Sequence, residues 1–156
     1  FFDINVTAPE SGVVFKRMSG YPTIQRGSTV NFWIDYQNIG SQPLYDVTSV
    51  PSGKSPLVLA NTNPINRQSD LMSSSWPSSS RPATVFSAVY EANGSTLASN
   101  QHIAQTGQII RFSYNYTIPG NKPVGTHREW IQPVLEGSPN WNLGEVGFFD
   151  VIVTNQ

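Results

Sequence analysis

Apolar and polar residues alternate with a period of two over most of this chain, the spacing of strands that bury one face. The clearest run is residues 28–38, where Val30, Phe32, Ile34 and Tyr36 share one face and Asn31, Asp35 and Gln37 the other. A second run, residues 108–118, sets Ile110, Phe112, Tyr114, Tyr116 and Ile118 against Arg111, Ser113, Asn115 and Thr117. Between them, residues 83–92 and 95–103 flank Asn93-Gly94. That pair tolerates positive φ and predicts a hairpin closed by a type I′ turn. Shorter strands are expected at residues 12–18, 44–50, 126–135 and 146–154. No segment reads as a helix longer than a turn, because twelve Pro and twelve Gly punctuate the chain.

Seven or more strands with turn signals between them predict an all-β, antiparallel, immunoglobulin-like two-sheet sandwich. The expected core is Val30, Phe32, Ile34, Tyr36, Phe86, Val89, Ile110, Phe112, Tyr114, Tyr116, Val151 and Val153. One long insertion, residues 51–82, is rich in Ser, Pro and Asn. Leu57, Leu59, Ile65, Leu71, Met72 and Trp76 are spread through it, more apolar residues than a disordered linker carries. It is expected to fold back over an edge or end of the sandwich and bury part of that set.

Composition narrows the function class. The chain has 156 residues, enough for one domain with a proper core. Only 12% are charged, about half the usual level. Nine basic residues against ten acidic ones, unclustered, give no sign of a nucleic-acid partner or of an anionic membrane surface. With no cysteine, the core has no disulfide to help it. No apolar run approaches the ~18 residues of a membrane span, and no secretory leader is seen, so an exported form is expected to be mature or excised. The polarity comes from Ser, Thr, Asn and Gln, which suits a secreted or cell-surface location. Asn5, Asn93 and Asn115 head Asn-x-Ser/Thr triplets and are candidate glycosylation sites. Turn chemistry alone also accounts for the triplet at Asn93.

The most informative motif is a self-match. Residues 1–7 read FFDINVT and residues 148–154 read FFDVIVT. Two terminal strands of one sandwich could converge on such a composition, but the match includes an Asp in register. It points to a tandem repeat with a period of 147 residues, or to a strand donated to a neighbour. The division expected is a terminal strand within residues 1–9 and a sandwich domain over residues 10–156. The candidate assembly strands are Phe1, Phe2, Asp3, Ile4, Asn5, Val6 and Thr7, and Phe148, Phe149, Asp150, Val151, Ile152, Val153 and Thr154. Their expected partners are copies of the same chain or neighbouring repeats.

Residues 125–153, GTHREWIQPVLEGSPNWNLGEVGFFDVIV, resemble the closing hairpin of the four-tryptophan immunoglobulin-like domain, whose relatives occur as repeats in bacterial surface proteins. The strand VNFWIDYQNIG and the loop LANTNPINRQSDLMSSSWPSSSRP are similar to the bacterial version. The four Trp, at 33, 76, 130 and 141, do not all fall where the eukaryotic domain places its own, and Phe148 and Phe149 stand where that family often closes with Trp. The resemblance implies a surface scaffold module and no catalytic residues.

Candidate chemistry is sparse. Trp33 breaks the polar face of its strand and is expected to pack under the insertion, against Trp76, or to serve as a sugar-stacking platform. Trp76 and Trp141 are the candidate glycan contacts. His102 and His127 have no partner at metal-ligand spacing and read as ordinary strand residues. Asp70 with Asn63, Asn66 and Ser69 offers one carboxylate, poor provision for Ca²⁺. No nucleophile elbow or carboxylate pair stands out. The reading is a non-catalytic structural subunit of an extracellular filament, stalk or coat, without metal or cofactor. The alternative is a carbohydrate-binding module of a cell-wall-associated protein.

Overall fold

Strand β3, Thr29–Asn38, buries Phe32, Ile34 and Tyr36 on one face, and the rest of the architecture is arranged around that face. The computed structural model describes residues 9–155. The expected strand at residues 1–7, with the Asn5 triplet, lies outside the described residues. Within them the chain is all-β, with no helix.

The other strands are β1 (Val13–Met18), β2 (Thr23–Gln25), β4 (Leu44–Tyr45), β5 (Leu57–Asn61), β6 (Ala88–Tyr90), β7 (Ile103–Ala104), β8 (Ile109–Thr117), β9 (Gly125–Leu135) and β10 (Gly147–Thr154). One four-stranded sheet runs β1-β3-β8-β6, a second runs β2-β10-β9-β5, and β4 pairs with β7.

The two larger sheets share a core. β8 buries Ile110, Phe112, Tyr114 and Tyr116 at alternate positions, as its period dictates, and β10 answers with Phe149, Val151 and Val153. Across the gap the Phe32 ring stacks on Phe149 with centroids 4.1 Å apart and planes 19° off parallel. Tyr116 packs on both rings, at 6.3 and 5.5 Å. Trp76 closes this cluster edge-on, 5.3 Å from Tyr116 and 6.0 Å from Tyr114, and its indole N–H donates to the Asn115 carbonyl at 2.5 Å. Eleven of the twelve expected core residues are buried, and Val30 is half-buried near the end of its strand.

Several expectations are corrected. The sheets are not wholly antiparallel, since β2 runs parallel to β10. Residues 19–22, with Gly20 and Pro22, carry the chain from β1 in the first sheet to β2 in the second. Alternation reports which face a residue occupies and says nothing of its neighbour's direction. The strand expected at 44–50 stops at Tyr45, where Asp46 turns the chain. The hairpin at 83–103 contributes β6, the first residue of β7 and isolated bridges of Tyr90 with Leu97 and of Ala83 with Leu59. Its turn is not type I′. Gly94 N donates to Glu91 O at 2.8 Å, while Ala92 and Asn93 between them keep negative φ and only Gly94 is positive, at 71°. Asn93 instead uses its side chain, whose Oδ1 accepts from Ser95 N and Thr96 N.

Residues 51–82, expected as a long insertion, contain β5. Leu57, Val58, Leu59, Ala60 and Asn61 are all buried, so the strand shows a continuous apolar run and no alternation. Leu71 and Trp76 are also buried, whereas Ile65 and Met72 remain exposed at 60% and 42%.

Replacing Phe149 by Ala removes one half of the inter-sheet stack, and its expected cost is about 3–5 kcal/mol. Phe148→Ala, on the exposed side of the same strand, should cost distinctly less. Chemical denaturation of both variants checks this, and equal losses would show that the stack is not the seam.

Candidate functional site

Alternation along β10 divides the candidate assembly strand in two. Phe149, Val151 and Val153 point into the core, while Phe148 and Ile152 are exposed on the other face with Asp150 half-buried between them. Arg128 on the neighbouring β9 forks onto Asp150, with Nε to Oδ1 at 2.8 Å and Nη2 to Oδ2 at 3.1 Å. The same guanidinium lies 3.9 Å from the Phe148 ring centroid, and Trp130 packs on Phe148 at 5.2 Å. The hydrogen bond from Arg128 holds the Asp150 carboxyl below its ordinary range.

The edges of β10 differ. β9 pairs along residues 147–153, but β2 pairs on the other side only at residues 152–154. Ile152 N donates to Pro22 O at 2.9 Å, so even-numbered residues turn their backbone groups toward the β2 side. Phe148 and Asp150 therefore offer N–H and C=O to a position where no described strand lies. Beside this open stretch is a groove of about 330 Å³ floored by Ile34, Tyr36 and Ile131 and rimmed by Phe15, Tyr21, Val146 and Phe148.

The aromatic candidates separate clearly. Trp76 is 7% exposed and belongs to the core cluster, which corrects its reading as a glycan contact. Trp33 does not meet it. Phe32 and Ile34 face the core, so Trp33 faces outward, where the Arg111 guanidinium stacks 3.8 Å from its ring centroid. Trp141 is half-buried against Val58, Ala60 and Val134, with Arg81 at 5.8 Å from its ring. It lines a broad groove of about 1160 Å³ together with Glu10, Gln42, Tyr45, Lys54 and Asn140. Asn93 is exposed, its Nδ2 donating to Thr96 Oγ1 at 2.8 Å, and Asn115 is half-buried, accepting from Asn31 at 3.1 Å.

Among the described residues three carboxylates are buried, and each is fastened by its surroundings. Asp35 accepts two bonds from Arg111, at 2.7 and 2.9 Å, and a third from Arg17 at 2.7 Å. Asp35 and Arg111 stand opposite each other in the β3–β8 register, so this pair is built by strand pairing itself. Asp46 Oδ1 accepts from Thr48 N and Oγ1, while Oδ2 accepts from Phe86 N at 3.1 Å and lies 2.7 Å from His102 Nδ1. Burial pushes the Asp46 carboxyl up, but the bonds from Thr48, His102 and Phe86 outweigh it and hold the group below its ordinary value. Glu129 sits opposite Phe149, 2.6 Å from Arg67 Nη2, and there burial wins and raises the carboxyl. Burial also drives the Tyr114 and Tyr116 phenols well up.

His102 thus braces a turn, and His127 Nε2 lies 2.7 Å from the Pro123 carbonyl. Asp70 pairs with Lys122. No group of three or more His, Asp or Glu that could hold a metal ion occurs among the described residues, and no helix is long and apolar enough to cross a membrane. The expected strand over residues 44–50 passed over the Asp46-x-Thr48 spacing of an Asx turn, and nothing in the sequence joins Asp46 to His102, 56 residues on.

No family model matches this chain, and no curated protein does. Among solved structures it is similar to the CARDB domain of the PF1109 protein from Pyrococcus furiosus, in complex with di-metal ions, at 13% identity over 98% of this chain and 100% of that one, TM-score 0.47. A β-glucosidase from Listeria innocua aligns at 15% identity over 94% of this chain and 16% of its own, TM-score 0.44. A family 123 glycoside hydrolase from Clostridium perfringens aligns at 13% identity over 96% of this chain and 28% of its own, TM-score 0.39. Likenesses of this strength assign neither a family nor an activity.

Asp46→Asn places an amide N–H₂ or a weaker acceptor against Phe86 N, and the expected loss at neutral pH is about 1–3 kcal/mol. The sign follows from the depressed folded value. The contribution is full above the ordinary carboxylate pKa and disappears as pH falls through the folded one. Wild type and variant should therefore converge in acid, as measured by denaturation at several pH values. A difference independent of pH would overturn this account of Asp46.

Proposed function

We propose that this chain is a non-catalytic structural module of an extracellular surface assembly, a filament, stalk or coat, built as an immunoglobulin-like two-sheet sandwich. In this reading residues 10–156 are the sandwich, residues 51–82 an insertion that supplies one edge strand, and residues 1–9 a joining strand. One observation carries it: FFDVIVT, which residues 1–7 match at five of seven positions, lies in β10, an inner strand of its sheet, with Phe149 at the inter-sheet seam. A second copy of a core strand at residues 1–7 is what a module joined to its neighbours through strands requires. The resemblance of residues 125–153 to the four-tryptophan domain supports the same class. So does the fastening of all three buried carboxylates, Asp35, Asp46 and Glu129, within the fold.

Immunogold electron microscopy of native cells tests the assembly. Regular label on surface structures is expected, with assembly lost but folding kept when residues 1–7 are deleted. Label confined to the cell interior, or unchanged assembly after the deletion, overturns it.

The groove beside Trp141 favours a second reading, a carbohydrate-binding module. A half-buried ring with Gln42, Asn140 and Lys54 around it offers a stacking face and hydrogen-bonding groups for a sugar. On a glycan array, specific binding that falls at least tenfold with Trp141→Ala, or about 1.4 kcal/mol, would establish that reading in place of the first. Binding indifferent to Trp141 removes it.

A further inference from the structure

We propose that residues 62–82 act as a proton-coupled strap, which closes over one side of the sandwich when Glu129 carries a proton and loosens when Glu129 is ionised. The device belongs to the single domain, whatever that domain is joined to.

The strap spans the gap between the two sheets. It leaves β5 with Thr62 N donating to Trp130 O at 3.0 Å. It returns beside the same strand, where Asn61 N donates to Ser80 O and Leu59 N to Ala83 O, both at 2.9 Å. Between these ends it reaches β8 in the other sheet. β6 pairs with β8 only at residues 109–111, and farther along the strand the strap takes over. Met72 bridges Tyr116, Thr117 N donates to Leu71 O at 3.0 Å, and the Trp76 indole donates to Asn115 O. Leu71 and Trp76 are buried, but most of residues 63–80 are exposed and no strand runs through them. A segment held by a few backbone bonds and two apolar anchors is of the kind that opens locally, without global unfolding.

Beneath the strap lies the least well supported of the three buried carboxylates. Asp35 receives three bonds from guanidinium groups, and Asp46 is held by Thr48, Phe86 and His102. Among the described residues Glu129 has one charged donor, Arg67 Nη2 at 2.6 Å, with the Ser69 hydroxyl as a neutral one. Both donors belong to the strap. The Arg67 side chain is 23% exposed and that of Glu129 only 2%, so the loss of hydration falls on the carboxylate. A single half-hydrated partner does not offset it. Of the other titratable groups around Glu129, Asp70 on the strap is a like charge, and Tyr114 and Tyr116 of β8 are neutral phenols. Opposite it in β10 stands Phe149.

The direction of the coupling follows. With the strap open, Glu129 meets water and titrates as an ordinary carboxyl. With it closed, burial raises the carboxyl in spite of Arg67 and Ser69. Closure therefore takes up a proton. Its contribution is full below the ordinary glutamate value and is lost as pH rises through the raised one. A second pair sets the acid limit. Asp70 on the strap is bonded to Lys122, in the turn after β8. Burial pushes the Asp70 carboxyl up, but Lys122 outweighs it and holds the group below its ordinary value. Protonation of Asp70 thus loosens the strap only at a lower pH, and the strap is tightest between the two titrations.

Amide hydrogen exchange on the whole chain tests this, with rates corrected for their intrinsic pH dependence. The Thr117 amide, bonded to Leu71, reports the strap, and the Phe112 amide, midway along the β3–β8 pairing, reports the whole domain. At about pH 8 Thr117 should exchange about tenfold faster than Phe112 or more, as opening of the strap alone requires. Between about pH 8 and about pH 5 the protection of Thr117 should rise about fivefold or more. In Glu129→Gln, a neutral side chain of the same shape, that rise should vanish. Equal exchange at Thr117 and Phe112 overturns the proposal, as does protection that is flat or falls toward acid, or a variant that keeps the wild-type rise. Because Glu129 is buried, Arg67→Gln supplies a second reading that leaves the carboxylate in place. Without its charged partner the carboxylate is harder still to ionise in the closed state, so the rise should exceed that of the wild type. An equal or smaller rise overturns the proposal.

Discussion

The contact between Phe32 and Phe149 is the constraint on which the rest of the structure depends. One ring comes from β3 and the other from β10, strands in different sheets, and they stack at 4.1 Å with Tyr116 against both. A chain without disulfides has no covalent tie between its sheets, so the tie must be packing. Large aromatic side chains bury the most area per residue and hold a defined geometry. The cluster extends through Tyr114 and Tyr116 to Trp76, which fastens residues 51–82 to the same core. That recruitment has a polar cost. The Tyr114 and Tyr116 hydroxyls are buried away from water, and burial holds both phenols in the neutral form.

The charged residues obey a second constraint. Only 12% of the chain is charged, yet Asp35, Asp46 and Glu129 are all buried. Their environments sort them. Asp46 collects four bonds from Thr48, Phe86 and His102 and titrates below its ordinary value, so it stabilises the fold above acid pH. Glu129 has Arg67 beside it but loses more to desolvation, so its folded value is raised. Its contribution to stability falls as pH rises through the range between the unfolded and folded values. The two act in opposite directions across the acid range. Asp35 serves the outer face of the first sheet, where it joins Arg17 to Arg111, and Arg111 in turn carries the Trp33 ring. These pairs position strands and rings, and none leaves a carboxylate free for chemistry.

What the sequence made legible follows from what period two encodes. It encodes faces, and so β3, β8, β9 and β10 and nearly all the expected core were readable. It does not encode direction, which hid the parallel pairing of β2 with β10. It fails where both faces are buried, which hid β5. Trp33 is the instructive case. Held strictly, the alternation that puts Phe32 and Ile34 inward puts Trp33 outward, away from any aromatic that packs on Tyr114 and Tyr116. Expecting it to meet Trp76 set aside the very rule that defined the strand. The candidate site was half legible: the motif at residues 148–154 could be read, but the open edge beside it depends on where β2 begins to pair.

β10 therefore has two duties that pull on the same residues. Its odd positions hold the sheets together, and its even positions face an edge that β2 covers only at the end. A strand added at Phe148 and Asp150 would extend the second sheet at the very strand that carries Phe149. Anything that binds the folded state and not the unfolded one raises stability by mass action, by about 2.7 kcal/mol at a hundredfold excess over Kd. Anything that paired along this edge would thus strengthen the sheet at its seam. Among the described residues no strand pairs with β10 on that side between residues 147 and 151, and an edge of that kind is a weakness in an isolated domain.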